Sequence, residues 1–359
     1  MKTAVAVHAG IGTVPEKLAG NLKLLCKSAC KAGGGSDAVE LCERSLSALE
    51  DSPLTNAGVG SSLTMNGTVE CDATIVDGTE RNFASVACVD FVKNPSKFAG
   101  ALLRFQRHQV ESGEPLVAPN FLAGPSAKHF AKKLNLPLCS ANVLLTRRSR
   151  IRYEKALGSL SSGNSAAVPA TEDSGSGDVM DTVGCVVLSE NGHCAAGSSS
   201  GGLALKQPGR VGSAACYGSS CWAESTCAYS IALTATGCGE YLARTQFASS
   251  LARRVVAHYE HRPLPQILHD FVDQDFLQSP ALAHSVNRNH LSVGVVCVFL
   301  DKRARYAEFA YGHCGGSLPI GYSRASVDAR SVKSKVSRPS AGSSDGGGQC
   351  VVVSGEKLW

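Results

Sequence analysis

The chain has 359 residues, of which 43% are hydrophobic, 6% aromatic and 18% charged, and its formal net charge is +5. This balance suits a globular protein with ample core, and a mild, dispersed positive charge is not the clustered basic face of a nucleic-acid binder. No stretch reaches the roughly 18 apolar residues of a membrane span, and the opening MKTAVAVHAGIGTV lacks a long apolar signal core. A soluble intracellular protein is expected, with neither membrane nor nucleic acid as a direct partner.

In chain order, residues 3–8 (TAVAVH) read as a short buried strand, followed by a glycine turn at Gly10 and Gly12. Apolar residues at Ala38, Leu41, Cys42, Leu46 and Leu49 predict an amphipathic helix over 36–49, capped by Ser36 or Asp37. Strands are expected at 69–76, 84–92, 183–188 and around 193–198, helices at 240–259 and 264–276, and a strand at 292–300 paired with 305–311. Residues 158–178 are rich in Ser, Gly and Ala and read as a flexible linker; residues 323–349 are similarly poor in large apolar groups and are expected to be loosely ordered. No 20–50-residue repeat is visible.

There are 15 cysteines and no Cys-x-x-Cys; the nearest pairs are Cys26/Cys30 and Cys216/Cys221. Zinc knuckles are tighter than this, so no metal site is expected. Cys88, Cys185 and Cys297 sit in apolar runs, where a reduced thiol behaves as a small hydrophobe.

Directly after the linker comes Asp181-Thr182-Val183-Gly184, opening a core strand. Taken alone, Thr182 is most simply a β-branched strand residue. If the chain were cut before it, however, its new α-amine would lie beside its own hydroxyl. Such an amine has a pKa of roughly 7.7–8.0 and can act as a base that activates a poor nucleophile. Further on, GSSSGGLALKQPGRVG (197–212) supplies glycines for close backbone approach and Arg210, whose guanidinium can grip a carboxylate through two hydrogen bonds. TATGCGE (234–240) places a hydroxyl and backbone amides before a helix, a donor set suited to an oxyanion. Each alone has a plain reading: a Ser-rich turn, a surface Arg, a helix cap. No GK[ST] follows the glycines, so this is not a phosphate loop.

In this order and spacing, DTVG, SSGGLALKQPGRVG and TATGCGE resemble the N-terminal-threonine hydrolases of the asparaginase type 2 family. VHAGIG (7–12), SPLTNAGVGSSLTMNGTVECDATIVDG (52–78) and KNP (93–95) agree, and the resemblance runs from about residue 3 to 322, weakest over 105–178. The resemblance implies an α/β (α+β) fold, a four-layer αββα sandwich of the N-terminal-nucleophile hydrolase type. It implies a single domain over 1–359, a precursor that cuts itself between Asp181 and Thr182, and chains 1–181 and 182–359 that stay together as an αβ heterodimer, in some members dimerised again.

It also implies the site. Thr182 is nucleophile and base, Ser200 the second hydroxyl, and Thr236 and Gly237 the oxyanion and substrate-contact pair. Arg210 grips a substrate carboxylate, and Asn56 supports from behind within the loop Asn56 to Gly60. No cofactor is implied, although a structural monovalent cation on backbone carbonyls is compatible with the family. Asparaginases of this family carry Asp directly after Gly-Arg-Val-Gly to hold the free α-ammonium of the substrate; here that residue is Ser213. Removing one member of a buried charge pair costs about 3–5 kcal/mol, so a substrate with a free ammonium is disfavoured. An Asp inside a polypeptide has no such ammonium. With Ser213, CWAE (221–224) and GCGE (237–240), the chain resembles the family's threonine aspartases (taspases), endopeptidases that cut after Asp. An L-asparaginase or β-aspartyl peptidase and a non-catalytic scaffold are the alternatives. The basic run TRRSRIRYEK (146–155) reads first as a solvated face. As a nuclear-import signal it would fit the nuclear transcription and chromatin regulators on which such aspartases act, so the nucleus, the cytoplasm or both are expected.

Overall fold

In the first strand Val5 and Val7 pack into one hydrophobic cluster, and Ala4 and Ala6 into another. Both faces of the strand are therefore apolar, because the sheet that contains it is covered on both sides. The computed structural model describes residues 2–32, 37–113, 115–161, 182–284, 291–323, 332–339 and 350–359.

The strands are β1 (Thr3–His8), β2 (Cys71–Asp77), β3 (Asn82–Val89), β4 (Phe121–Ala123), β5 (Val183–Ser189), β6 (Cys194–Ser200), β7 (Cys221–Ser225), β8 (Tyr229–Gly237), β9 (Val293–Asp301), β10 (Tyr306–Cys314), β11 (Leu318–Ser323), β12 (Val332–Ser337) and β13 (Val351–Lys357). The helices are α1 (Glu16–Lys31), α2 (Ala38–Glu50), α3 (Pro95–Ser112), α4 (Ala127–Lys133), α5 (Arg147–Ser161), α6 (Gly239–Thr245), α7 (Phe247–His258) and α8 (Leu264–Asp270).

One sheet has eight strands in the order β12-β11-β1-β5-β6-β2-β3-β4 and the other five, β13-β10-β9-β8-β7. Helices α1 to α3 cover the outer face of the first sheet, where Leu22, Leu46 and Leu102 meet Val7, Cys185 and Val187. Helices α6 to α8 cover the second, with Phe247, Leu251 and Leu268 against Leu233, Val295 and Cys297. Between the sheets, Val186, Leu188 and Ala196 face Ala232, Val296, Val298 and Phe309. These are four layers, αββα, as expected.

Three boundaries differ from expectation. The 240–259 helix is broken, because Gln246 takes a left-handed conformation (φ 44°) that ends α6 and starts α7. The 264–276 helix begins as α8 and widens into a π-type turn over Phe271–Phe276. Residues 323–349 are not loose throughout: Ser323 closes β11 and Val332–Ser337 form β12, an edge strand whose backbone pairs antiparallel with β11. Its Lys and Ser residues suit a sheet edge, while Val332 and Val336 pack against the core beneath. Residues 324–331 and 340–349 lie outside the described residues, as do 162–178 of the expected linker; its first residues, 158–161, end α5.

Cys88 is not a core thiol. It is half-buried, with φ 53°, beside a break in the β2–β3 register. Cys185 and Cys297 are buried as expected. Helix α1, which the periodicity reading passed over, follows Pro15 and buries Ala19, Leu22, Cys26, Ala29 and Cys30 along one stripe.

Candidate active site

Strand β5 pairs on one side with β1, His8 opposite Gly184, and on the other with β6, Val183 opposite Ser199. Continuing that register by one residue sets Thr182 opposite Ser200. Ser200 in turn lies opposite Asp72 across the β6–β2 ladder. The strand ends thus bring a nucleophile candidate, a second hydroxyl and a buried carboxylate into one row.

Thr182, Ser200, Gly202, Arg210, Ser213, Gly237 and Gly239 line one cleft. The described structure therefore brings together most of the residues that the sequence singled out. Thr236 is fully buried one residue behind Gly237, and its Oγ1 accepts the Ile11 backbone N–H at 3.2 Å. Gly237 has φ 151°, and a Cβ there would lie 2.6 Å from the Ser292 carbonyl oxygen, so only glycine fits. Asp181 lies outside the described residues.

Asn56 holds the glycine pair by backbone and side chain together. Gly201 N–H donates to the Asn56 carbonyl at 2.7 Å, Asn56 Nδ2 donates to the Gly202 carbonyl at 2.8 Å, and Asn56 Oδ1 accepts Ser62 N–H at 2.8 Å. Gly202 N–H donates to Ser200 Oγ at 2.9 Å, which orients that hydroxyl. From below, Lys206 donates its ammonium to the carbonyls of Gly201, at 2.8 Å, and Glu70.

The charges are arranged in pairs. Asp72 is fully buried and accepts N–H groups from Cys88 at 3.0 Å and Gly212 at 2.7 Å. Burial pushes its carboxyl up, opposed by the nearby Lys206 charge and those two N–H bonds. Arg210 makes two parallel bonds to Glu240 and is only 14% exposed at its side chain. Burial alone would raise Glu240, but the Arg210 guanidinium outweighs it and holds the carboxyl below its ordinary range. Arg210 is raised in turn: burial opposes its charge and Glu240 more than restores it. Ser213 is buried in a tight turn over Ser213–Ala215 and supplies no charge.

Behind β5, His8 Nε2 lies 3.3 Å from Thr234 Oγ1, and the ring also meets the Thr182 backbone. Burial lowers its pKa to about 3, so it is neutral near pH 7. Gly184 is obligatory here, since a Cβ would lie 2.1 Å from Thr234 Oγ1 and 2.3 Å from His8 Nε2.

The sequence reading missed His8, Asp72, Lys206 and Glu240 as parts of this site. In VECDATIV the available signal for Asp72 was a carboxylate flanked by Cys71 and Ala73 inside a strand expected to be buried, since an unpartnered buried charge is too costly to keep. Among the described residues no three His, Cys, Asp or Glu side chains are grouped to hold a metal ion. No helix there is long and apolar enough to cross a membrane.

With this geometry in place, comparison with known proteins is informative. The family model described as Asparaginase (asparaginase type 2) matches residues 1–263, which include every site residue above. The match stops short of residue 322, which the motif resemblance reaches. An isoaspartyl peptidase/L-asparaginase of Xenopus laevis is 31% identical over 271 residues, covering 74% of this chain and 79% of the relative. A probable isoaspartyl peptidase/L-asparaginase 2 of Arabidopsis thaliana is 30% identical over 284 residues, covering 73% and 82%. The isoaspartyl peptidase of Salmonella typhimurium is 29% identical over 261 residues, covering 70% and 78%. Matched over most of its length, with its cleft inside the matched span, the chain belongs to the asparaginase type 2 family of hydrolases.

Proposed function

We propose that this chain is an N-terminal-threonine endopeptidase that cleaves polypeptides after Asp, a threonine aspartase, once it has split itself between Asp181 and Thr182. The observation that carries this reading is the charge of the cleft. Arg210 is the charged residue that lines it, and Ser213 stands where the family's asparaginases place an ammonium-binding Asp. A substrate that brings a carboxylate and no free α-amine suits that lining.

In self-cleavage the Thr182 hydroxyl attacks the Asp181 carbonyl carbon. The acyl group passes from nitrogen to oxygen, and water hydrolyses the resulting ester, leaving Thr182 with a free α-amine. Chains 1–181 and 182–359 then remain together as one domain. In turnover, that amine takes the hydroxyl proton as Oγ attacks the main-chain carbonyl of the substrate Asp, whose side-chain carboxylate is held by Arg210. Thr236 and Gly237 stand on the oxyanion side and Ser200 orients the Thr182 amine or hydroxyl. The leaving amine takes the proton, and water releases the ester. The groups that do this are side chains and backbone of the chain itself, so the reading calls for no cofactor; a structural monovalent cation would serve the fold alone.

The names of the relatives favour a second reading, an isoaspartyl peptidase/L-asparaginase with Arg210 on the α-carboxylate of the substrate and Thr182 on the side-chain carbonyl. The two carboxyl arms of Asp differ by one methylene, so one pocket suits either orientation. A mixture of a β-aspartyl dipeptide and a longer peptide with an internal Asp-Gly distinguishes them by mass. The endopeptidase cuts only the longer peptide, after Asp; cutting only the dipeptide would establish the second reading. A Ser213→Asp variant that gains dipeptide activity would show that this position sets the choice. Helix α5 carries the basic run 146–155; with nuclear regulators as substrates it would serve import, and a reporter fused to 140–160 that stays cytosolic would remove that role.

A further inference from the structure

Arg210 is held by more than packing. Its Nε donates to Glu240 Oε1 at 2.9 Å and its Nη2 to Glu240 Oε2 at 2.8 Å. This parallel pair occupies the side edge of the guanidinium. The fork has a second edge, formed by Nη1 and the outer hydrogen of Nη2. That end lies among glycines that line the cleft: a Cβ would come within 2.9 Å of Nη1 at Gly202, 2.8 Å of Nη1 at Gly212 and 2.7 Å of Nη2 at Gly239. The backbone is stripped of side chains around one end of the guanidinium while the other is tied down.

We infer that Glu240 is a specificity-determining positioning residue. It occupies the side edge of Arg210, commits the end edge to the substrate carboxylate, and fixes the reach of the guanidinium to the length of Asp rather than Glu. The inference rests on the reading of Arg210 as the carboxylate grip. A free arginine side chain has several rotamers and could retract to admit a carboxylate one methylene longer; a forked pair to Glu240 removes that freedom. Like-charge repulsion between Glu240 and the incoming carboxylate opposes binding. It acts across the guanidinium, and Glu240 is 47% exposed, so solvent screens it. The larger consequence therefore falls on selectivity and not on affinity for Asp.

The test compares kcat/KM on two peptides that differ only in Asp or Glu at the cleaved position, for the wild type, Glu240→Gln, Glu240→Asp and Arg210→Ala. In Glu240→Gln the amide NH2 faces a guanidinium N–H, one fork bond is lost, and the Asp-over-Glu ratio should fall by about tenfold, the scale of a one-methylene discrimination. Glu240→Asp can keep the fork but draws the guanidinium back by one methylene, the room a longer carboxylate needs, and should lower the ratio at least as far. In an Arg210→Ala background the Gln substitution should change nothing further, because Glu240 acts through Arg210. Self-cleavage and an unchanged thermal midpoint report that each variant is folded. A wild-type ratio in both Glu240 variants would overturn the inference, and so would loss of folding in both, which would make the residue structural. Were Arg210→Ala to leave cleavage after Asp intact, the grip itself would be wrong; loss in Arg210→Ala with an unmoved ratio in the Glu240 variants would leave the grip standing and remove only this inference.

Discussion

Asp72 Oδ2 accepts the Gly212 backbone N–H at 2.7 Å, joining residues 140 positions apart in sequence. The bond fixes the start of the turn that carries Ser213, and it links the half of the chain before Thr182 to the half after it. Self-cleavage would leave this tie intact, which is one physical reason for two chains to stay together.

An Asp72→Ala variant would orphan the buried Gly212 amide and the half-buried Cys88 amide. At roughly 1–3 kcal/mol for each orphaned amide, the expected loss is about 2 kcal/mol or more, read by denaturant unfolding in a Thr182→Ala background so that the chain stays whole. A loss below about 1 kcal/mol, the size of an ordinary exposed contact, would contradict this view of the two bonds.

Gly184→Ala tests the packing behind β5. The new Cβ would meet Thr234 Oγ1 at 2.1 Å and His8 Nε2 at 2.3 Å, and none of these groups sits on a flexible surface. Overpacking of this kind costs roughly 1–3 kcal/mol or more, and the shift should slow self-cleavage by displacing Thr182. Unaltered processing would mean that the strand end yields more easily than its burial suggests.

His8 predicts an acid limit. Its folded pKa of about 3 lies below the ordinary 6.5 because burial disfavours the charged ring, so the unfolded chain binds a proton first. The stability that His8 contributes is complete above 6.5 and is lost as pH falls toward 3, by up to about 1.4 kcal/mol per pH unit. Unfolding curves of His8→Asn should show a shallower decline over that window; parallel curves would remove the claim. His313, lowered by burial to about 4, acts in the same direction and serves as an independent site.

Glu50 has the opposite sign. It is fully buried, bonded to Ser96 N–H at 2.9 Å and Ser96 Oγ at 2.7 Å, and burial raises its pKa from 4.5 to about 7 despite those bonds. Ionisation within the fold is costly, so its contribution is greatest in acid and declines as pH rises from 4.5 through 7. Glu50→Gln should gain on the wild type across that range, by at most about 3 kcal/mol. A difference that does not vary with pH would show that Glu50 is already ionised.

The strands β1, β5 and β9 were legible because a strand covered on both faces is an unbroken apolar run. β8 was not: its Ser and Thr residues face hydrogen-bond partners in the neighbouring sheet, as Thr234 faces His8, and so dilute the signal. β12 escaped notice because an edge strand needs backbone partners more than apolar side chains. In the cleft, glycines and Arg210 stood out as local motifs, whereas Asp72, Glu240 and His8 draw their meaning from partners far along the chain. Such pairings depend on register and packing, which composition and periodicity do not encode.

Thr182 as an N-terminal nucleophile is the central claim, and the intact mass of freshly purified protein tests it most directly. The account predicts two chains, 1–181 and 182–359, from the wild type and a single uncut chain from Thr182→Ala. A wild-type chain that remains whole under every condition in which it is folded would contradict it, and would favour a scaffold that binds partners without cutting them.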